Sequence, residues 1–353
     1  MSAPPASTGR LRFLLVDDSA LSLGELQRLL ESSGDFEVVG RARDGEQALH
    51  EVMALRPDAI VLDLQMPRMD GFTFLRLLMA RRPTPVIVLS SNSRRADVFK
   101  TLELGALDFV AKPERGGLES IREELLAKCG MVRGLRIENL ATAWRPDQEP
   151  VDPRPLVEPA RLAVIGASTG GPQALQELLG ALPGDLPLGV LVAQHMPEKF
   201  TRAFAERLGR TSAFTVTEAA DGDLVAAGRV LIARGGHHLE LRRERGSGTL
   251  RVTLAPPEAG GCSTRYCPSI DRLFTSAALA MPRRLCAVVL TGMGNDGAAG
   301  VRAVKAAGGF TLAESELTAV IYGMPRAAVA TGAVDVSLGL PEIAERLTRF
   351  ARD

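Results

Sequence analysis

The sequence predicts an α/β protein made of two parallel-sheet domains joined by a linker. Short apolar runs alternate with helical patterns in both halves, the periodicity fades between them, and prolines gather where it fades. At 353 residues the chain also exceeds one ordinary core, because domains hold about 100 to 200 residues.

In the first half the run LRFLLV from Leu11 precedes Leu23, Leu26, Leu29 and Leu30 at helical spacing, and FEVVG follows. An amphipathic stretch ending near Arg56, the run DAIVLD, a helix after Gly71, the run PVIVLS and another helix come next. The short strand LDFVAKP and a final helix complete residues 11–130. Five βα units in so short a span predict a doubly wound (βα)5 sheet with buried parallel strands. Residues 131–160 read as an interdomain linker. Pro146, Pro150, Pro153, Pro155 and Pro159 exclude a continuing helix or central strand there. A second rhythm, over 161–350, begins at ARLAVIGAS and runs through LGVLVAQHM, RVLIA and LCAVVLTGMG, with helical patterns after Pro172, Pro197 and Gly294. It predicts a mostly parallel α/β domain. Within it, HHLELRRERGSGTLRVTL alternates apolar and polar residues about a Gly-Ser-Gly turn, the pattern of a β-hairpin insertion.

Composition narrows the function classes. Lys plus Arg and Asp plus Glu number 42 each, so no strong field draws the molecule to nucleic acid or to an anionic membrane. The opening MSAPPASTGR lacks the apolar core of a secretory signal, and no segment offers the roughly 18 apolar residues of a bilayer span. A cytoplasmic location without membrane insertion is expected. Cys129, Cys262, Cys267 and Cys286 are too few and too irregular for a disulfide framework or a paired zinc motif, and read as free thiols.

Open parallel sheets bind ligands beyond the carboxyl ends of their strands. In the first domain Asp17 and Asp18 end the first strand, Asp63 the third and Ser90 the fourth, and Lys112 follows the fifth. Three converging carboxylates repel one another, and a hard divalent cation such as Mg²⁺ relieves the repulsion. With Lys112 it would offset the charge of an incoming phosphoryl group, leaving Asp63 as the nucleophile. The pieces LLVDDSA, VLDLQMPRMDG, VIVLSS and LDFVAKP resemble the receiver domains of bacterial response regulators. The resemblance implies that Asp63 takes phosphoryl from a histidine kinase and that Asp18, Asp63 and the Gln65 carbonyl ligate Mg²⁺, with Asp17 assisting through water. It further implies that Ser90 and Phe109 form a switch pair.

In the second domain VIGASTGG places Ser168 at a glycine-rich strand-to-helix turn. Such a turn can expose a nucleophile and aim the Thr169 N–H at an oxyanion, bind a phosphate, or be purely structural. A serine nucleophile needs a base. His195 follows the apolar run LGVLVAQ and so shares the sheet edge of Ser168, whereas His237 and His238, at the hairpin start, read as surface or substrate-contacting residues. Asp296, in LTGMGNDGAAG, follows a strand and can either orient the imidazole or cap a helix start.

The motifs VIGASTGG, VAQHMP, GGHHLEL, PSIDRLF, LTGMGNDGAAG and VIYGMPRAAVATGAVD, in this order behind a receiver, resemble the chemotaxis protein-glutamate methylesterases, the CheB family. The resemblance implies phosphorylation-activated hydrolysis of glutamyl methyl esters on chemotaxis receptors, releasing methanol through Ser168, His195 and Asp296. The Thr169 and Met293 N–H groups would form the oxyanion hole. It implies no cofactor for the esterase, recruitment to receptor arrays, and receptor glutamine deamidation as a possible second activity. The competing class is a non-enzymatic, phosphorylation-dependent binding module in which Ser168 is only a turn residue.

Overall fold

The computed structural model describes residues 9–91, 95–113, 117–135, 139, 157–257 and 266–353, leaving aside the side chains of 90, 91, 95 and 96. It divides into two compact units, at Thr142 and Ala143. Most of the expected linker, 136–156 apart from 139, and Cys262 lie outside the described residues.

The first unit runs β1 (Leu11–Val16), α1 (Ala20–Glu31), β2 (Phe36–Ala42), α2 (Gly45–Leu55), β3 (Ala59–Asp63) and α3 (Gly71–Arg81). It continues with β4 (Val86–Ser91), α4 (Arg95–Glu103), β5 (Asp108–Lys112) and α5 (Arg122–Gly130). The strands pair in parallel in the order β2-β1-β3-β4-β5, as the βα rhythm predicts. Every residue of β3 is buried, because helices cover both faces of such a sheet. Short polar side chains start the helices: Ser19, Asp44 and Asp70 accept backbone N–H groups at the first turns of α1, α2 and α3. These caps end each strand-to-helix loop sharply, which keeps the strand-end residues together.

The second unit contains β6 (Arg161–Ala167), α6 (Gly171–Ala181), β7 (Leu188–Gln194), α7 (Glu198–Thr211), β8 (Thr215–Glu218) and β9 (Arg229–Ile232). The hairpin strands β10 (His238–Arg243) and β11 (Leu250–Ala255) follow, then α8 (Ile270–Ala280), β12 (Leu285–Val289) and α9 (Ala298–Ala306). The fold closes with β13 (Phe310–Glu314), α10 (Met324–Ala330), β14 (Val336–Leu338) and α11 (Leu340–Arg352). Seven strands form one parallel sheet in the order β14-β13-β12-β6-β7-β9-β8, and β10 and β11 pair antiparallel as a separate hairpin. The unit takes in more chain than the sequence boundary at 161 suggests. Ala227 N–H donates to the Val157 carbonyl at 2.9 Å and Arg243 pairs with Glu158 at 3.2 Å, so the chain joins this unit by Val157.

Its core is aromatic and branched aliphatic, with Phe200, Phe204, Phe214 and Phe274 fully buried. Removing the ring of Phe274, which anchors α8, would cost about 3 to 5 kcal/mol. The hairpin lies on α8, burying Leu239 and Leu241, and the Leu241 N–H donates to Ser276 Oγ at 3.0 Å. Since β6 lies between β7 and β12, the loops after these three strands meet at the point where strand order reverses. No helix among the described residues is long and apolar enough to cross a membrane.

Candidate active site and phosphoacceptor site

Three adjacent strand ends build the first site. Ser168 follows β6, and its N–H donates to the Thr291 carbonyl while its carbonyl accepts the Gly171 N–H at 2.8 Å. Gly170 takes φ +76°, which turns the chain into α6. The loop after β12 passes directly against the serine: a Cβ on Gly292 would lie 2.6 Å from Ser168 Cβ. Any side chain there would push the two loops apart.

His195 follows β7, and its N–H donates to the Ala167 carbonyl at 3.0 Å, so the strand ladder itself carries the imidazole beside the serine turn. The Gln194 side chain fastens the same junction, donating to the carbonyls of Ser168 at 2.9 Å and His195 at 3.1 Å. Asp296 Oδ2 lies 2.9 Å from His195 Nε2. A carboxylate only accepts, so Nε2 carries the proton and Nδ1 holds the lone pair. Nδ1 is buried and has no hydrogen-bond partner among the described residues. Ser168 Oγ, on a half-buried residue, makes no hydrogen bond to the imidazole there, an arrangement common before substrate binds.

Asp296 is held by more than histidine. Its carboxylate accepts the Ser269 hydroxyl at 3.3 Å and the Ile270 and Asp271 N–H groups at 2.8 and 2.9 Å. Burial opposes its ionisation, but the hydrogen bond and charge of His195 and the two backbone donors outweigh burial and hold the carboxyl below its usual range. The helix-cap reading of Asp296 is therefore partly right, with a change of helix: Asp296 precedes α9 and caps α8.

Of the two expected oxyanion donors, Met293 is partly exposed, and its N–H makes no hydrogen bond among the described residues. Thr169 is buried, and its carbonyl accepts the Thr291 hydroxyl at 3.0 Å. Behind this loop Glu314 is fully buried, accepting the Thr291 N–H at 2.7 Å and the Thr318 hydroxyl at 2.9 Å. Burial pushes its carboxyl up to about 7, against the pull of those two donors.

The structure corrects the reading of His238. It is buried, and its Nδ1 accepts the Ser269 N–H at 3.1 Å, so it supports the start of α8 instead of meeting solvent or substrate. Sequence reasoning also missed Tyr266, whose ring lies 4.3 Å from that of His195 and within 8° of parallel. No spacing rule marks such a stack, because the two residues are far apart in sequence.

The second site is in the first unit. Asp17, Asp18 and Asp63 bring carboxylate oxygens within 4.8 Å of one another. Lys112 Nζ bridges two of them, 2.6 Å from Asp63 and 2.8 Å from Asp17. Burial pushes the Asp63 carboxyl up; Lys112 pulls it down by charge and hydrogen bond without cancelling the rise, to which Asp17 adds. A cluster of hard oxygen donors with more negative charge than one lysine balances fits a divalent cation. Gln65 is in the following loop, its N–H donating to Asp63 Oδ1 at 3.3 Å. Phe109 is buried on β5 with Lys128 Nζ 5.3 Å from its ring centre. Ser90 pairs with Ala111 in the β4–β5 register, and its side chain lies outside the described residues.

Comparison with known proteins places both units. Residues 163–347 match the CheB methylesterase family model and residues 13–123 the response regulator receiver domain. The chain belongs to the CheB methylesterase family. A protein-glutamate methylesterase/protein-glutamine glutaminase of Anaeromyxobacter dehalogenans is 67% identical over 343 residues, covering 97% of this chain and 96% of the relative. One from Myxococcus xanthus is 48% identical over 352 residues, covering 98% and 99%. The crystal structure of the Thermotoga maritima CheB methylesterase catalytic domain superposes with a TM-score of 0.51 at 38% identity, covering 54% of this chain and 97% of that domain. The α/β fold expected of each domain is that of a receiver followed by a CheB catalytic domain.

Proposed function

We propose that this CheB family member hydrolyses glutamyl methyl esters on chemotaxis receptors through Ser168, His195 and Asp296, under control of phosphorylation at Asp63. The observation that carries the reading is the His195–Asp296 pair at 2.9 Å, beside a serine turn at the centre of the sheet edge. Ser168 Oγ attacks the ester carbonyl carbon as His195 Nδ1 takes its proton. The resulting oxyanion is stabilised by the N–H groups of Thr169 and Met293. His195 returns the proton to the departing methoxy oxygen, methanol leaves, and an acyl-serine remains. Water then attacks the acyl carbon, giving a proton to His195; the acyl carbon–Oγ bond breaks, His195 returns the proton to Ser168 Oγ, and glutamate and free serine result. Asp296 stabilises the imidazolium in both halves.

The same acyl chemistry on a glutamine side chain releases ammonia in place of methanol. The double name of the relatives favours this as a second activity.

In the receiver, Asp63 attacks the phosphorus of a phosphohistidine on a kinase, and the P–N bond breaks. Asp17, Asp18, Asp63 and the Gln65 carbonyl would hold Mg²⁺, which supplies positive charge against the incoming phosphoryl group. Lys112 adds a second cation, and Ser90 and Phe109 pass the change to the receiver surface. Each step of the ester hydrolysis uses side chains and backbone N–H groups of this chain, and work on membrane-bound receptors implies recruitment to their arrays.

The experiment is release of methanol from methyl-labelled receptor membranes by the phosphorylated full chain. Ser168→Ala is expected to abolish release while the protein stays folded; undiminished release by that variant would sink the reading.

A further inference from the structure

Asp296 caps α8, and Asp271, in the first turn of α8, returns the favour to α9. Asp271 Oδ1 accepts the Gly297 N–H at 2.9 Å and the Gly300 N–H at 2.6 Å. Asp271 of α8 thus serves the start of α9, and Asp296, just before α9, serves the start of α8. Helix N-termini present unsatisfied N–H groups and partial positive charge, so both carboxylates are favoured where they lie. The consequence is mechanical. Asp296 is in the short segment between β12 and α9, and α9 is fixed at Gly297 by Asp271, so the segment is held at both ends.

We propose that Asp271 is a positioning residue of the esterase site, fixing the start of α9 so that Asp296 Oδ2 stays aimed at His195 Nε2, and adding negative charge behind that pair. The inference rests on the reading of Ser168, His195 and Asp296 as a triad.

A residue needed only as a cap would not have to be charged, since Ser or Asn caps as well. Asp271 instead reaches across to the other helix, holding two N–H groups of α9 on one carboxylate oxygen. Burial pushes the Asp271 carboxyl above its usual range, and the Asp296 charge adds to this, against the Gly300, Gly297 and Ala299 N–H groups. Where both carboxyls are ionised each opposes the other, and a cation forming beside them is favoured. His195 becomes that cation when it takes the serine proton. Of the cations on these elements, Arg272 of α8 is turned to Glu240 of β10 at 3.0 Å, His238 of β10 uses Nδ1 to accept the Ser269 N–H, Lys305 of α9 pairs with Asp335, and Arg302 of α9 is exposed.

The test compares Asp271→Ala and Asp271→Asn with the native full chain on methyl-labelled receptor membranes, following kcat, KM and the pH profile of kcat/KM. Asn keeps an oxygen for the Gly297 and Gly300 N–H groups and loses only the charge. Asp271→Ala is expected to lower kcat about 30-fold with KM within about twofold, the mark of a group acting on the chemical step. Asp271→Asn is expected to recover kcat to within about fivefold of native. Its acid limb should move about half a pH unit lower, because the imidazolium has lost a nearby negative charge. The proposal is overturned if both variants lose only melting temperature while kcat and the acid limb stay native, or if Asn restores nothing that Ala removes. An inactive native chain would instead sink the esterase reading itself, and the inference with it.

Discussion

Tyr266 lies flat on His195, ring centroids 4.3 Å apart and planes 8° from parallel, so one face of the imidazole is covered by a phenol. The phenol oxygen is also close to the loop after β12, 2.9 Å from where a Cβ on Gly294 would be. One side chain therefore touches both the His195 imidazole and the loop that carries Met293.

An aromatic pair in contact contributes about 0.5 to 1.5 kcal/mol beyond its buried area. If that energy keeps the imidazole plane in place, Tyr266→Leu lowers kcat for methanol release about tenfold, since 1.36 kcal/mol is a factor of ten in rate. Tyr266→Phe keeps the stack and stays within about twofold of native. Equal losses in the two variants would move the effect from the ring to the hydroxyl.

The buried Glu314 gives the catalytic unit a pH-dependent stability of definite sign. Its carboxyl rises from an ordinary 4.5 to about 7 on folding, chiefly through burial. The stabilising contribution is therefore fully present below about pH 4.5 and is lost as pH rises through about 7. The span amounts to about 3 kcal/mol at 1.36 kcal/mol per unit. Glu314→Gln keeps an acceptor for the Thr291 N–H and removes the titration, so urea midpoints of the catalytic unit should vary less between acid and neutral pH than those of the native chain. An unchanged slope would place the titration elsewhere.

At the receiver, labelling of Asp63 by a small phosphodonor such as acetyl phosphate is expected only with Mg²⁺ present, because Lys112 alone faces three carboxylates. Asp63→Ala should remove the label, and a chelator should prevent it. Label retained in that variant would identify another acceptor.

The fold was largely legible because buried parallel strands are unbroken apolar runs, such as VIVL in β4 and LGVLVAQ in β7, and their ends mark where chemistry can occur. That His195 and Asp296 follow neighbouring strands and can meet at one sheet edge was legible on that ground. The supports of the site were not, because they are set by which helices meet. Nothing in PSIDRLF shows that Asp271 reaches the start of α9, or that Asp296 serves α8. His238 misled for a related reason: a histidine at a hairpin start reads as exposed until the hairpin is seen to lie against α8. The contacts of Val157 and Glu158 with the catalytic unit were not legible either, since a backbone carbonyl and an ion pair carry no periodic signal.

Those contacts decide how control by the receiver should be tested. A receiver tethered to the esterase stays at high effective concentration beside it, so a weak docking surface suffices to cover the Ser168 turn. Phosphorylation of Asp63 relieves the cover only if the phosphorylated receiver favours the undocked state. A fragment beginning at Pro159 would discard the Val157 carbonyl that accepts the Ala227 N–H and the Glu158 partner of Arg243, and would confuse lost inhibition with lost stability. A fragment beginning just before Val157 keeps both. It is expected to hydrolyse receptor methyl esters faster than the unphosphorylated full chain, and phosphorylation is expected to raise the full chain to the fragment's rate or above it. Rates measured on the same labelled membranes decide the matter: a fragment no faster than the intact unphosphorylated protein removes the inhibitory role of the receiver and leaves the esterase chemistry standing.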